Sequence, residues 1–93
     1  MSESILMEAE KLINGDRQKA YRHPALNYKN ITDTFNALTG HTLTPKDGIV
    51  FMIVTKLCRE YYGAKRDNRV DLCGYTGCLD MLEESEKLTY NKD

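Results

Sequence analysis

The sequence predicts an all-α fold: a small bundle of about four helices in a single domain. Glycines and prolines divide the 93 residues into four segments with helical spacing of apolar residues, and no segment alternates convincingly like a strand. With the 6 glycines added, the hydrophobic fraction of 41% becomes about 47%, which is that of an ordinary globular protein. We expect a helical domain over residues 1–82, with a radius of gyration of about 12 Å, and a polar, frayed tail over residues 83–93.

The first helix is predicted over residues 2–14, where one face carries the apolar residues Ile5, Leu6, Ala9, Leu12 and Ile13. Gly15 follows where a left-handed residue commonly ends a helix. Asp16 can cap a short helical stretch over residues 16–21, before Pro24 forces the preceding residue away from helical angles.

The second helix is predicted to follow Pro24 and to end at Gly40. Its apolar residues recur every three or four positions, so they are predicted to form one buried stripe, which consists of Tyr28, Ile31, Phe35 and Leu38. His41 follows this helix and is expected to lie in a plain surface loop.

The third helix is predicted over residues 45–62, because its beginning is strongly marked. Thr44 suits the N-cap, Pro45 suits the first helical position, and Asp47 suits the positive end of the helix dipole. Residues 49–54 are all apolar, and such a run within a helix predicts that it is central and buried. Gly63 is expected to end it.

The fourth helix is predicted from about Asp67 to about Leu82. At 100° per residue, its solvent face carries Arg69, Thr76, Asp80 and Glu83. The opposite, inward side carries Asp67, Asp71, Tyr75, Cys78 and Leu82. Gly74 and Gly77 lie on a neighbouring arc, where small residues allow another helix to approach closely.

Carboxylates on the inward side of a helix are costly unless they are paired, hydrogen-bonded or bound to a metal. Lys56 and Arg59 share one face of the third helix, so Asp71 is expected to face one of them. The pair can be a structural salt bridge, or the two cations can also hold an anion. Glu60 can pair with Lys56 at the surface.

Composition excludes several classes of function. Thirteen basic against 14 acidic residues exclude a strongly basic nucleic-acid clamp, and no apolar stretch is long enough to span a membrane. The three cysteines form no C-x-x-C pair, so we expect a soluble protein of a reducing cytoplasm. So short a chain has a marginal core, which favours self-association, with the Gly74 and Gly77 arc and several tyrosines as the interface.

The segment over residues 17–27 concentrates groups that can bind a ligand. Its arginines, tyrosine, histidine and asparagine supply hydrogen-bond donors, a stacking ring and an imidazole, although a loop histidine such as His23 is often only a hydrogen-bonded bystander. The two histidines lack zinc-binding spacing, and no serine or cysteine lies in a recognisable nucleophile motif. We therefore expect no metal and no catalytic nucleophile.

These residues form a recognisable pattern. The chain reads Arg17-x-x-x-Tyr21-x-His23-Pro24-x-x-Asn27, then Lys56-x-x-Arg59, then Asp67-Asn68-x-x-Asp71-x-x-Gly74-Tyr75. Up to about Leu82 it resembles a family of small uncharacterised phage and prophage proteins. That family more distantly resembles the MazG-like all-α nucleoside triphosphate pyrophosphatases, which are helical dimers or tetramers that hold magnesium with an E-x-x-E and an E-x-x-D motif.

The chain departs from the enzyme pattern in charge. Asn68-x-x-Asp71 stands in place of E-x-x-D, and Lys56-x-x-Arg59 stands where the resemblance implies E-x-x-E. Magnesium prefers carboxylate oxygens, whereas arginine and lysine bind phosphate directly. Arg22 also replaces the glycine that is usual in the family's Tyr-Gly-His-Pro, which indicates a positive φ angle at this position.

The resemblance, with these departures, implies a non-catalytic nucleotide-binding protein without a cofactor, able to sequester a host signalling nucleotide against antiviral defence. Lys56, Arg59 and Arg17 would contact phosphates, Tyr21 or Tyr75 would stack on the base, and Asn27, Asn68 or His23 would bind base edges or ribose; Asp71 completes the set. One alternative is a divergent magnesium-dependent pyrophosphatase whose metal is held by Asp67 and Asp71 with Glu60, Glu8 or Glu10. Another is a protein-interaction module that inhibits a host factor.

Overall fold

The computed structural model describes residues 3–15, 18–19 and 22–90. Over these residues it contains four α-helices and no strand, which confirms the all-α prediction. The helices are α1 (Ile5–Asn14), α2 (Pro24–Thr39), α3 (Pro45–Tyr62) and α4 (Arg66–Tyr90). The short helical stretch predicted over 16–21 lies for the most part outside the described residues.

Local capping signals fix the helix ends. The Ser4 side chain caps α1, and Thr44 and Asp47 form a reciprocal capping box at the start of α3, as their types predict. Gly40 ends α2 with a φ of 77°. The left-handed cap predicted at Gly15 is wrong, since its φ is −117°; a side chain is excluded there because a Cβ atom would lie 2.8 Å from the Lys11 carbonyl oxygen.

The central element is α4, which packs against each of the other three helices. Its buried residues Tyr75, Cys78 and Leu82 form the core with Tyr28 of α2 and Ile49 of α3. The prediction that α3 is central and buried is therefore wrong. Of its apolar run 49–54 only Ile49 is buried. Six consecutive residues point in all directions around a helix, and α3 has neighbouring helices on one side only.

The buried face of α2 also differs from the predicted stripe. Tyr28 is buried, but Ile31, Phe35 and Leu38 are exposed, Leu38 to 81%. The buried positions instead follow Tyr28 with Thr32, whose hydroxyl donates a hydrogen bond to the Tyr28 carbonyl at 2.8 Å. This internal bond satisfies the polar group, so a threonine can be buried where sequence patterning favours an apolar residue.

Close approach between helices depends on glycines. A Cβ atom at Gly77 would lie 2.5 Å from Cδ1 of Ile13, and one at Gly74 would lie 3.4 Å from its Cγ2. The predicted close helix contact is thus confirmed, but the helix that fills it is α1 of the same chain, so the expectation of a subunit interface on this arc is wrong. Gly48 plays the same part between α3 and α2, where Thr32 and Tyr28 lie 3.1 Å from a Cβ position.

The helix α4 continues past its predicted end near Leu82 to Tyr90. Lys87 forms salt bridges of 3.2 Å to Glu83 and 3.8 Å to Glu84, and the hydrogen bond to Glu83 raises the pKa of Lys87. Pairs at this spacing stabilise a solvated helix without burial. The residues predicted to form a frayed tail are therefore helical up to Tyr90.

The long α4 also accounts for the overall dimensions. The molecule extends 47 × 31 × 21 Å with a radius of gyration of 14.5 Å, above the predicted value of about 12 Å. A helix of 25 residues is about 37 Å long, longer than the other helices that pack beside it. None of the helices described is both long and apolar enough to cross a membrane.

Candidate functional site

A cavity of about 720 Å³ opens between α2, α3 and α4. Its wall is mostly apolar and aromatic, and Gln18, Arg22, Asn27 and His41 add longer polar side chains. The full lining comprises Ile13, Gln18, Arg22, Pro24, Asn27, Tyr28, Ile31, Thr32, Phe35, His41, Leu43, Gly48, Phe51, Met52, Tyr75 and Cys78. A concave site of this size, apolar with a few polar groups, is typical of small-molecule binding.

The floor of the cavity belongs to the protein core. Tyr28, Tyr75 and Cys78 are buried, and Met52 is half-buried beside them. Because Gly48 has no side chain, the α2 ring of Tyr28 lies directly against the α3 backbone. The floor is thus fixed by packing that the fold itself requires.

The rim is built by the loop between α2 and α3. Asn36 holds this loop with two hydrogen bonds, its Nδ2 donating to the Leu43 carbonyl and its Oδ1 accepting from the Leu43 N–H, each at 2.9 Å. The clamp fixes the loop, and the His41 ring stacks on Phe35 with 5.7 Å between ring centroids and 12° between planes. His41 is exposed in a loop, as predicted, but its side chain also lines the cavity.

Arg22 lies on the polar side of the cavity with a φ of 68°, the left-handed angle that the family's glycine at this position indicates. A non-glycine residue in this conformation costs about 1–2 kcal/mol. Its backbone N–H donates to the Gln18 carbonyl at 2.7 Å, and the half-buried Asn27 also lines the cavity. Backbone strain that persists beside a cavity is a feature of binding and active sites.

His23 has a structural role in this arrangement. It is the N-cap of α2, and its Nδ1 accepts a hydrogen bond from the Ala25 N–H at 3.1 Å. The preceding Arg22 and the following Pro24 line the cavity, whereas His23 does not. The segment over 22–27 is thus oriented by His23, while Arg22 and Asn27 line the site.

The second predicted cluster lies between α3 and α4, away from the cavity lining. Lys56 pairs with Asp71 at 2.8 Å, with side chains only 13% and 22% exposed, which confirms one of the two predicted pairings. Arg59 is exposed and forms no ion pair with a described residue. The charge of Lys56 is therefore matched by one carboxylate in a half-buried pair.

Glu60 does not pair with Lys56 as predicted. Its carboxylate accepts hydrogen bonds from Arg69 at 3.0 Å and from the Lys65 N–H at 3.2 Å. The α3–α4 connection is short, so the first turn of α4 lies beside the last turn of α3 and brings Arg69 to Glu60. Nearby, Asn68 is buried and its Nδ2 donates to the Gly63 carbonyl at 3.4 Å.

The acidic residues of the metal-binding alternative are dispersed. Asp67 is exposed, not inward as predicted. It lies in the first turn of α4, where the helix dipole favours a carboxylate. Glu8 pairs with Arg66, and Glu10 is exposed. Within the described ranges, no three histidine, cysteine or acidic side chains are grouped to hold a metal ion.

The predicted site residues are therefore divided among three places. Asn27 and Tyr75 line the cavity, His23 and Asn68 bond to backbone groups, and Lys56 and Asp71 pair between helices. Arg17 and Tyr21 lie outside the described residues. Sequence reasoning missed Asn36, whose partner Leu43 is seven positions away, and it gave Phe35 only a role in the core.

Comparison with known proteins identifies relatives among phages. The chain is 40% identical over 85 residues to the Gene 55 protein of Mycobacterium phage D29, an alignment that covers 90% of this chain and 56% of that protein. It is 36% identical over 91 residues to the Gene 55 protein of Mycobacterium phage L5, covering 96% of this chain and 58% of that protein. The chain thus spans a little over half the length of these relatives.

No solved structure matches the chain. The predicted resemblance to small phage proteins is borne out by the two relatives and by a family model that matches residues 4–83. The matched range includes all of α1, α2 and α3, the first part of α4 and every described residue that lines the cavity. The chain is a member of the DUF6378 family, a domain of unknown function.

Proposed function

We propose that this phage protein binds a nucleotide, or another phosphorylated small molecule with a planar ring, in the cavity and does not catalyse a reaction on it. The observation that carries the proposal is the combination of a cavity of about 720 Å³, a floor with two tyrosine rings, and Arg22 at its polar side. An apolar cavity favours a ring, and an arginine beside it favours an anionic group on the same ligand.

The ring of the ligand is assigned to the aromatic part of the cavity. Tyr28 and Tyr75 present ring surface from the floor, and Phe35 with His41 extends it at the rim. Stacking on aromatic side chains tolerates any base. The Asn27 side chain can both donate and accept hydrogen bonds, so it would distinguish bases by the donors and acceptors on their edges.

The phosphate is assigned to Arg22. Its guanidinium presents a planar fork of donors that matches phosphate oxygens, and Arg17, five residues earlier, is proposed to add a second cation. This assignment replaces Lys56, because the positive charge of Lys56 is matched by Asp71. Arg59 has no such partner among described residues and serves below as the comparison.

A protein that binds a nucleotide without turning it over lowers its free concentration. We therefore extend the proposal to sequestration of a host signalling nucleotide by a scaffold of MazG-like ancestry. The pyrophosphatase alternative has less support, since Asp71 is paired with Lys56 and Asp67 is exposed.

The test is calorimetric titration of the folded protein with mono-, tri- and cyclic nucleotides, with and without magnesium. We expect binding without magnesium, and a dissociation constant raised about 10-fold or more by Arg22→Ala. Arg59→Ala is the matched control and is expected to leave binding unchanged. Ile31→Trp, at the exposed rim, is expected to block the cavity.

Two results would contradict the proposal: no binding across the panel by a protein whose helicity is verified, or binding lost in Arg59→Ala and retained in Arg22→Ala. Magnesium-dependent release of pyrophosphate that disappears in Asp71→Ala would support the enzyme alternative instead.

A further inference from the structure

The outward side of α3 is apolar, whereas the outward side of a surface helix normally carries polar and charged residues. Every exposed residue between positions 48 and 58 is apolar, and two tyrosines follow in the last turn. We define the α3 face as Val50, Phe51, Val54, Leu57, Cys58, Tyr61 and Tyr62. No charged residue is exposed between Asp47 and Arg59, and absence of charge is characteristic of the centre of protein interfaces.

The spacing within the α3 face is that of a helix-packing stripe. Val50, Val54, Leu57 and Tyr61 follow one another at intervals of four, three and four residues. This is the seven-residue repeat with which one helix packs along another at a shallow angle. The stripe covers 12 residues, from Val50 to Tyr61, and about 17 Å of helix, so the occupant it fits is a second helix rather than a small ligand.

The area of the α3 face approaches what a stable dimer needs. Phe51, Tyr61 and Tyr62 are 70%, 84% and 83% exposed, and these three rings alone present on the order of 400 Å². The largest apolar patch on a typical monomer is about 300–600 Å². Three exposed aliphatic side chains extend this area towards the roughly 800 Å² that each partner contributes to a standard interface.

We propose that the occupant is a second copy of this chain, with the two α3 helices packed antiparallel across a twofold axis. In this arrangement Val54 of one copy packs against Leu57 of the other, and Val50 packs against Tyr61. Each small residue therefore meets a larger one, so the face is complementary to itself, as a twofold interface requires.

The helix dipole favours the same arrangement. The first turn of α3 carries Lys46 beside Asp47, and the last turn carries Arg59 beside Glu60, so the side-chain charges at each end balance. Antiparallel packing places the positive dipole end of each α3 helix beside the negative dipole end of the other. Parallel packing would place like ends together.

The second copy also adjoins the cavity. Phe51 belongs both to the α3 face and to the cavity lining, so a partner helix along this face covers the rim on that side. The paired state then has a narrower cavity mouth than the single chain.

The experiment is a measurement of mass in solution by sedimentation equilibrium over a series of chain concentrations. We expect the mass to rise with concentration to a plateau at twice the 10.7 kDa of the chain. Leu57→Glu places a charge in the middle of the face, so we expect a folded monomer and a dimer dissociation constant raised at least about 100-fold. Leu38→Glu, an exposed leucine on α2, is the matched control and is expected to remain dimeric.

A mixing experiment tests the register and keeps the proposal testable if Leu57→Glu fails to fold. Val54→Lys and Leu57→Glu are each expected to be monomeric or poorly folded alone, and to form a helical heterodimer when mixed, because the new charges are adjacent only in the antiparallel register. A folded wild type that stays monomeric would overturn the proposal in favour of a different partner protein. Dimerisation that survives Leu57→Glu, or that Leu38→Glu abolishes, would overturn it too.

Discussion

The strained backbone at Arg22 allows stability and binding to be separated by two substitutions at one position. Its φ of 68° is natural for glycine and costs other residues about 1–2 kcal/mol. Arg22→Gly removes this strain, but glycine gives the unfolded chain additional entropy worth about 0.5–1 kcal/mol. We expect a net gain of about 0.5–1 kcal/mol in the free energy of unfolding.

The side chain of Arg22 is exposed, so its removal has little direct effect on packing. Arg22→Ala removes the same guanidinium but keeps the left-handed backbone, and it is the matched control. We expect Arg22→Gly to melt about 2–8 °C above Arg22→Ala in thermal denaturation at equal chain concentration. Both variants should lose nucleotide affinity to the same extent. Equal melting temperatures would refute the strain argument, whatever the binding result.

Two further predictions concern contacts between helices. Gly74→Ala has room for its Cβ and gains helix propensity, so it should raise the free energy of unfolding by up to about 1 kcal/mol. Gly77→Ala forces Cδ1 of Ile13 to move, so it should be less stable than Gly74→Ala by about 1 kcal/mol; urea denaturation of both compares them, and equal effects would contradict the packing described. Removing one partner of the half-buried salt bridge, as in Lys56→Met, should cost about 1–2 kcal/mol, and the added change Asp71→Leu should restore most of it. A thermodynamic double-mutant cycle measures this coupling, and additive losses would show that the pair does not interact.

The ends of the helices could be predicted from sequence because each is set by nearby residues. Thr44, Pro45 and Asp47 define the start of α3 within four positions, and the predicted bounds of that helix match the observed ones. The close approach at Gly77 was also predictable, since a glycine within a helix indicates a position where another helix can pack closely. The identity of the helix that packs there was not predictable, because Ile13 is 64 residues away in the sequence.

Burial was harder to predict than helix bounds. The stripe of Ile31 and Phe35 has the spacing of a core face, but these residues border an open cavity instead. An apolar residue that lines a ligand site or an interface has the same pattern as one in the core. The continuous apolar run 49–54 likewise cannot indicate which side of α3 has a neighbour.

The candidate site was only partly predictable for the same reason. The family's glycine correctly indicated the backbone at Arg22, and Asn27 and Tyr75 were chosen from motifs that do line the cavity. Asn36 has no local signal, since its two hydrogen bonds go to Leu43 across the loop.

The attachment of α1 has a consequence for measuring ligands. Among the described helices, α1 touches α4 alone, yet its Ile13 both fills the space at Gly77 and forms part of the cavity wall. A molecule seated in the cavity therefore contacts a side chain through which this ten-residue helix packs on α4, and it should slow the detachment of α1 from α4. Amide hydrogen exchange along α1 should then report occupancy from outside the pocket, even for ligands that have no chromophore.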